Sequence, residues 1–151
     1  MNDQVAEIIE TAMLKEVASA ALYHKAAGQT DDPAAAALLR ELAEAEEKHL
    51  TVLKNLSPEA LIYSMESTAK ISELKQSDHL KAPDELAGAD LTGTLLFAIK
   101  QEAASVIFYK DLSGVFSDDT ARKLALTLAE QELGHQQKLE QIYDRVIYIE
   151  N

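Results

Sequence analysis

The stretch EVASAALYHKAAG, residues 16–28, returns 86 residues later as EAASVIFYKDLSG, residues 102–114. Downstream of each copy, Glu-x-x-His recurs at the same separation, as EEKH at residues 46–49 and ELGH at residues 132–135. Each half of the chain therefore has the same order of features: a glutamate, a tyrosine seven residues later, a glycine and a Glu-x-x-His motif. We interpret the two halves as copies of one structural pattern.

Apolar residues in the first half recur at three- and four-residue spacing and predict two helices packed as an antiparallel hairpin over about 3–56. The first helix is predicted over residues 3–27, with Gly28 as the C′ residue that ends it. Asp32 is predicted to cap the second helix, with Pro33 in its first turn.

The second half predicts another antiparallel hairpin, over about 90–149, with one helix ending at Gly114 and the next beginning after residues 117–119. Residues 57–89 are predicted to form a long crossover with some helix, starting at Ser57-Pro58-Glu59 and broken at Ala82-Pro83-Asp84. The expected fold is all-α: a single domain, residues 1–151, forming a four-helix bundle of two hairpins and one crossover.

The spacing of the motifs predicts that four carboxylates meet at one height. Glu16 lies 12 residues before the glycine of the first hairpin, and Glu46 lies 14 residues after its aspartate cap. At 1.5 Å per residue, both lie roughly 18–21 Å from the turn. Glu102 and Glu132 have the same relation to the second turn. Every helix therefore presents one glutamate near the middle of the bundle.

The i, i+3 spacing places the glutamate and histidine of each Glu-x-x-His motif on one face, between leucines. Carboxylates in such an apolar seam are very unfavourable without partners. Two divalent metal ions would neutralise them, and a mixed oxygen and nitrogen set suits iron or manganese. The alternative is a repeat kept for packing only. The predicted metal ligands are Glu16, Glu46, His49, Glu102, Glu132 and His135.

The two tyrosines, the remaining histidines and one glycine have interpretations of their own. Tyr23 and Tyr109 are either core aromatics or functional groups beside the metals, as hydrogen-bond donors to the ligand carboxylates or as redox-active phenols. His24 and His79 match nothing in the repeat and are expected at the surface. Gly134 reflects close packing or a local distortion beside the metal, or chance, because glycine inside a helix costs about 1 kcal/mol.

Composition excludes several classes of function. The chain has 151 residues, no cysteine and a net charge of −12, which argues against disulfides, thiolate metal sites and nucleic acid as a partner. The N-terminal sequence MNDQVAEIIE has no signal-peptide pattern, and no apolar run approaches about 20 residues. We therefore expect a cytoplasmic protein that does not bind membranes.

This pattern resembles the rubrerythrin branch of the ferritin-like superfamily. The resemblance covers nearly the whole chain outside the crossover, and the segments that carry it are KEVASAALY, EAEEKHL, KQEAASVIFY and EQELGHQQKLE. It implies a di-iron site with two bridging glutamates, Glu46 and Glu132. It also implies one further pair of ligands for each iron: Glu16 with His49, and Glu102 with His135.

The chain departs from the rubrerythrin pattern in two ways. It has none of the four cysteines of a rubredoxin domain, so electrons would come from a separate donor such as a rubredoxin-type protein. Rubrerythrins also have an additional glutamate three residues after the third-helix ligand, where this chain has Ser105, and the equivalent position in the first half is Ser19. A six-ligand site is closer to bacterioferritin-type ferroxidase centres.

The resemblance implies a non-haem di-iron or di-manganese oxidoreductase that reacts with H₂O₂ or O₂, by peroxide reduction or ferroxidase activity. A mixed iron and manganese centre uses the same ligands, and zinc can substitute in them. Analogy with the family favours a homodimer. The alternatives are iron binding or storage without turnover, a non-catalytic helical bundle that binds a partner, and oxidation of an organic substrate.

Overall fold

A computed structural model of the protein describes residues 3–55 and 90–150, and these residues form four helices. The helices are α1 (Asp3–Gln29), α2 (Pro33–Lys54), α3 (Leu91–Ser113) and α4 (Asp119–Glu150). The predicted all-α four-helix bundle is confirmed. The predicted crossover at 57–89, with its helix start and its break, and the surface assignment of His79 lie outside the described residues.

Aspartate side chains begin three of the helices. Asp32 accepts a hydrogen bond from the backbone N–H two residues on (3.0 Å), and Pro33 opens α2, as predicted. Asp90 and Asp118 accept from the N–H groups three residues on, at 2.8 and 2.9 Å. Each carboxylate satisfies a donor that has no partner within its helix, which fixes where the helix starts.

The two glycines predicted to end helices behave differently. The prediction that Gly28 follows α1 is wrong, because α1 continues through it to Gln29. Ala26 and Ala27 are buried, and packing of this last turn outweighs the low helix propensity of one glycine. Gly114 does end α3 as its cap, in a right-handed conformation with φ −75°, and does not need a left-handed backbone.

Contacts between side chains give the directions of the helices. α1 packs mainly on α2 and α3 mainly on α4, which are the two predicted hairpins. Tyr109 in α3 reaches Glu16 in α1, while Tyr23 in α1 reaches Glu102 in α3. The residue order is reversed between these pairs, so α1 and α3 are antiparallel. Consequently α2 and α3 run parallel, as a long connection between the hairpins requires.

Two apolar clusters form the core, with a polar layer between them. The first cluster includes Ile8, Leu53, Phe108, Leu112 and Leu128. The second cluster includes Leu22, Leu39, Leu42, Leu95 and Leu139. On every helix, the residues between the two clusters include one buried glutamate. The polar layer therefore lies at mid-height and is closed off at both ends by apolar side chains.

Candidate metal centre

The polar layer contains all six side chains that the sequence predicted as metal ligands. The glutamates are completely buried, and the histidines are buried with exposures of 4% and 6%. Each of α1 and α3 supplies one glutamate, and each of α2 and α4 supplies a glutamate and a histidine. The set is Glu16, Glu46, His49, Glu102, Glu132 and His135.

The ligand atoms form two overlapping groups, in each of which all atoms lie within 4.8 Å of one another. Position 1 consists of Glu16, Glu46, His49 and Glu132. Position 2 consists of Glu46, Glu102, Glu132 and His135. The shared glutamates, Glu46 and Glu132, are the two that the family resemblance implies as bridges. Each group, with three carboxylates and one imidazole, can hold a metal ion.

Tyrosines from each half bind a carboxylate of the other half. Tyr23 Oη donates a hydrogen bond to Glu102 Oε1, and Tyr109 Oη donates to Glu16 Oε1 at 2.5 Å. Burial raises the pKa of both phenols well above the ordinary value, and the neighbouring glutamates raise it further. Both phenols therefore stay protonated. They are core residues and also hydrogen-bond donors to the candidate ligands, whereas a redox role for either phenol stays a prediction.

The imidazoles also cross between the halves. His49 Nδ1 lies 2.9 Å from Glu132 Oε1, and His135 Nδ1 lies 2.7 Å from Glu46 Oε1. The two rings are nearly parallel, at 11°, with centroids 5.6 Å apart. Burial alone would lower the pKa of His49, but its contacts with Glu132 and Glu16 raise it to about 10. Burial lowers the pKa of His135.

Lys15 is a member of the site that sequence reasoning missed. Its side chain is buried, with Nζ 3.1 Å from Glu132 Oε2 and 3.6 Å from Glu16 Oε1. The ammonium also lies 5.5 Å from the centre of the Tyr109 ring. Burial alone would lower the pKa of Lys15, but Glu132 and Glu16 outweigh burial and hold it well above the ordinary value. Lys15 is therefore a fixed positive charge within the layer.

A signal for Lys15 was present in the sequence. Ile8, Ala12, Lys15 and Ser19 are spaced by three and four residues and are all buried. This stripe runs beside the one that contains Glu16. A lysine preceding a glutamate on an acidic helix usually lies at the surface, so only the packing of the other helices reveals its inward position.

Gln131 is the second residue that the sequence analysis missed. His49 Nε2 and Gln131 Oε1 lie 2.6 Å apart, so the ring donates its Nε2–H to the amide. This contact leaves Nδ1 directed at the carboxylates, in the manner typical of histidine ligands held by an outer hydrogen bond. The repeat-equivalent residue is Ala45, whose side chain has no such group. No pattern in the sequence marked Gln131.

The unpaired atoms of the layer fit a bound cation. Among the described residues, five of the six candidates each have one buried atom without a hydrogen bond: Glu16 Oε2, Glu46 Oε2, Glu102 Oε2, Glu132 Oε1 and His49 Nδ1. The last two lie 2.9 Å apart as an ion pair but do not form a hydrogen bond. The other oxygen of each glutamate is held by a tyrosine, a lysine or a histidine. Buried lone pairs without partners are costly. An oxygen- and nitrogen-binding metal would satisfy all five.

The carboxylates differ in their electrostatic surroundings. Burial, followed by repulsion from Glu132, raises the pKa of Glu46 and Glu102 well above the ordinary value. Burial also opposes ionisation of Glu132 and Glu16, but Lys15 and the contact with His49, together with other hydrogen bonds, outweigh it and lower the pKa of both. A divalent ion at position 2 would therefore compete with protons for the carboxyl groups of Glu46 and Glu102 as it binds.

The serines where a seventh ligand would lie are both buried. Ser105 donates its hydroxyl to the carbonyl oxygen of Gln101 (2.7 Å), which satisfies it within α3. Ser19, its repeat equivalent, occupies the same place on α1. The described residues place four glutamates and two histidines in the layer, in agreement with the predicted six-ligand set.

Two further predictions concern residues outside the layer. His24 is exposed and pairs with Glu47 at 3.5 Å, which confirms its surface assignment. Close packing does not explain Gly134, because a Cβ added there would meet nothing within 4 Å. α4 is helical without interruption through this position, so a local distortion does not explain it either.

One described helix, α3, is long and apolar enough to cross a membrane by length and composition alone. Its most apolar stretch is 39% buried inside the bundle, and α3 contributes the buried Glu102 to the polar layer. The core helix of a globular bundle meets the same criterion. The absence of a membrane span and the cytoplasmic location stay predictions.

Comparison with known proteins supports the fold. No family model matches the chain, and no curated protein matches it. A solved structure of a hypothetical protein from Pyrococcus furiosus is similar, with 19% sequence identity and a TM-score of 0.70. The match covers 95% of this chain and 90% of that one. At this identity the similarity shows the fold alone, so the rubrerythrin resemblance rests on the residues quoted above.

Proposed function

We propose that this protein is a di-metal carboxylate oxidoreductase, with iron or manganese at positions 1 and 2, that acts on H₂O₂ or O₂. The reaction class is peroxide reduction or ferroxidase activity. One observation carries the proposal: five of the six candidate ligands each have one buried atom without a hydrogen bond, and the ligands form two overlapping groups. In a bundle without metal these five atoms would stay without hydrogen bonds, which is costly for buried polar groups.

The charges also support two divalent ions. Four carboxylates balance two ions of charge +2, and the ammonium of Lys15 is one positive charge beyond this balance. The four glutamates are fully buried, so this balance acts where solvent screening is weak. Two Fe²⁺ ions bound together would supply two electrons to the oxygen substrate.

The residues around the metals have separate roles in this proposal. Tyr23 and Tyr109 hold one oxygen of a terminal glutamate each and leave the other oxygen for a metal. Gln131 holds the ring of His49. The two apolar clusters exclude water from both ends of the layer. For peroxide reduction, a separate protein supplies the electrons, because the chain has no cysteine to hold an iron–sulfur centre.

Metal content tests the site. Protein loaded anaerobically with Fe²⁺ and then desalted should contain two equivalents of iron by elemental analysis. The Glu46→Ala, Glu132→Ala double variant should bind less than half an equivalent. The matched control is Glu47→Ala, Glu130→Ala, which changes the net charge equally at two exposed positions and should keep both ions. Less than one equivalent in the unmodified protein would instead favour a partner-binding bundle.

The rate of oxidation tests the reaction. Fe²⁺-loaded protein mixed with H₂O₂ or with O₂ in a stopped-flow instrument should oxidise its iron much faster than free Fe²⁺ does. The Glu47→Ala, Glu130→Ala control should react at the same rate. Two bound irons with no acceleration would contradict the oxidoreductase proposal. Iron storage would be indicated by two results together: much more than two irons per chain, and a large hollow assembly whose size is measured by light scattering.

A further inference from the structure

The 86-residue repeat relates the metal ligands of the two halves but not their surroundings. Lys15 on α1 corresponds to Gln101 on α3, a neutral residue. Both carboxylates that Lys15 contacts, Glu132 and Glu16, belong to position 1. Glu102, the terminal carboxylate of position 2, receives its hydrogen bond from the neutral phenol of Tyr23. Among the residues that the structure describes, the ammonium of Lys15 therefore contacts two ligands of position 1 but only one ligand of position 2, the shared Glu132.

The contacts of Lys15 place this cation in competition with a metal. Its Nζ lies 3.1 Å from Glu132 Oε2 and 3.6 Å from Glu16 Oε1, and the side chain is 3% exposed. A divalent ion at position 1 shares Glu16 with the ammonium, whereas an ion at position 2 shares only the bridging Glu132. Repulsion between two buried cations a few ångströms apart is little screened by solvent.

Gln131 acts in the opposite direction on the same position. It holds His49 with Nδ1 towards the carboxylates, which favours metal binding at position 1. One neutral hydrogen bond contributes much less than the repulsion of a full charge in a buried site. The charge of Lys15 therefore outweighs the hydrogen bond of Gln131 in its effect on position 1.

We propose that Lys15 makes the two metal positions unequal, so that position 2 binds its ion first and tightly and position 1 binds second and weakly. The inference rests on the proposed function, since it requires two metal ions. Its consequence is a centre with one resident ion and one exchangeable ion. Such a centre can take iron repeatedly at position 1 as a ferroxidase substrate, or hold two different metals.

The test is a titration of metal-free protein with Mn²⁺, followed by calorimetry and by electron paramagnetic resonance. We expect two binding steps whose dissociation constants differ by at least about tenfold. The first equivalent should give the spectrum of an isolated Mn²⁺ ion, and the second should convert it to that of a coupled pair. Two steps of equal affinity would overturn the inference and leave the proposed function intact. Failure to bind Mn²⁺ here and Fe²⁺ in the anaerobic loading experiment would overturn the proposed function.

Substitutions assign the effect to Lys15. Lys15→Gln, which copies the residue of the second half, should bring the two dissociation constants within about threefold of each other. The matched control is Lys100→Gln, which removes the same charge from an exposed position of α3 and should leave a wide separation. An unchanged separation in folded Lys15→Gln protein, verified by circular dichroism, would contradict the role of Lys15.

Histidine variants show which metal position binds its ion first. They test this order in protein that keeps Lys15. In protein that retains Lys15, His135→Ala should abolish the tight step and His49→Ala should abolish the weak one. The reverse result would overturn the inference. The exchange variant, Lys15→Gln with Gln101→Lys, should invert the assignment, so that His49→Ala then removes the tight step.

Discussion

The two halves of the molecule have the same ligands and the same apolar packing, but they differ in the polar residues that surround the ligands. Leu53 and Leu139 are repeat equivalents and are both buried. Lys15 and Gln131, by contrast, correspond to a glutamine and an alanine and both act at position 1. A repeated pattern therefore sets where the ligands lie, while single residues beside them set how strongly each ligand attracts a cation.

The largest expected difference between the halves concerns the two shared glutamates. In chelator-treated protein, Glu132→Gln should lower the free energy of unfolding by about 3–5 kcal/mol, because it removes the main partner of the buried Lys15. Glu46→Gln should cost less than half as much. The pKa of Glu46 is raised by burial and by Glu132, so a neutral group already suits that place. Urea unfolding with EDTA at neutral pH measures both, and equal losses would show that Lys15 does not distinguish them.

The apolar core should show no such difference. Leu53→Ala and Leu139→Ala remove fully buried side chains from the two clusters, so each should lower the free energy of unfolding by about 2–5 kcal/mol. We expect the two losses to agree within about 1 kcal/mol, because both clusters are closely packed. Leu133→Ala, at an exposed position, is the control and should change stability by less than about 0.5 kcal/mol. Very unequal losses would mean that the halves also differ in their packing.

The hydrogen bonds of the two tyrosines should also contribute unequally to stability, again because of Lys15, but the difference should be smaller. Tyr23→Phe removes the hydrogen bond to Glu102 and should lower the free energy of unfolding by about 2 kcal/mol. Tyr109→Phe should cost about 1 kcal/mol, because Lys15 still lies 3.6 Å from the same oxygen of Glu16. Urea unfolding of both variants with EDTA gives the comparison. Tyr148→Phe, at an exposed position, should have no effect, and a larger loss for Tyr109→Phe would contradict the proposed support from Lys15.

The sequence predicted the parts of this site that depend on helical periodicity. Equal distances from the turns placed four glutamates at one height, and the Glu-x-x-His spacing placed each histidine beside one of them. Cap residues such as Asp32 predicted helix starts because their hydrogen bonds are local. The end of α1 was predicted wrongly at Gly28, because packing of the last turn is not local.

The contacts between residues of different helices could not be predicted from the sequence, for a related reason. Periodicity places Tyr23 and Tyr109 on an inward face, but only the antiparallel packing of α1 and α3 decides that each binds the glutamate of the other half. Lys15 shows the same limit more strongly. The sequence shows the buried stripe of residues that contains Lys15. A buried ammonium is tolerated, however, only because Glu132 and Glu16 neutralise it. The pairing with Glu132 depends on how α4 packs against α1.

The smallest predicted effect concerns Gly134, whose equivalent in the first half is the exposed Lys48. Gly134→Ala should raise the free energy of unfolding by about 1 kcal/mol, because alanine has the higher helix propensity. A Cβ at this position would meet nothing within 4 Å. Urea unfolding with EDTA measures the gain. Metal content should stay at two equivalents, because His135 keeps its place on an unchanged helix. A stabilised variant that binds less metal would show that the glycine gives α4 a freedom beside His135 that the first half does not need.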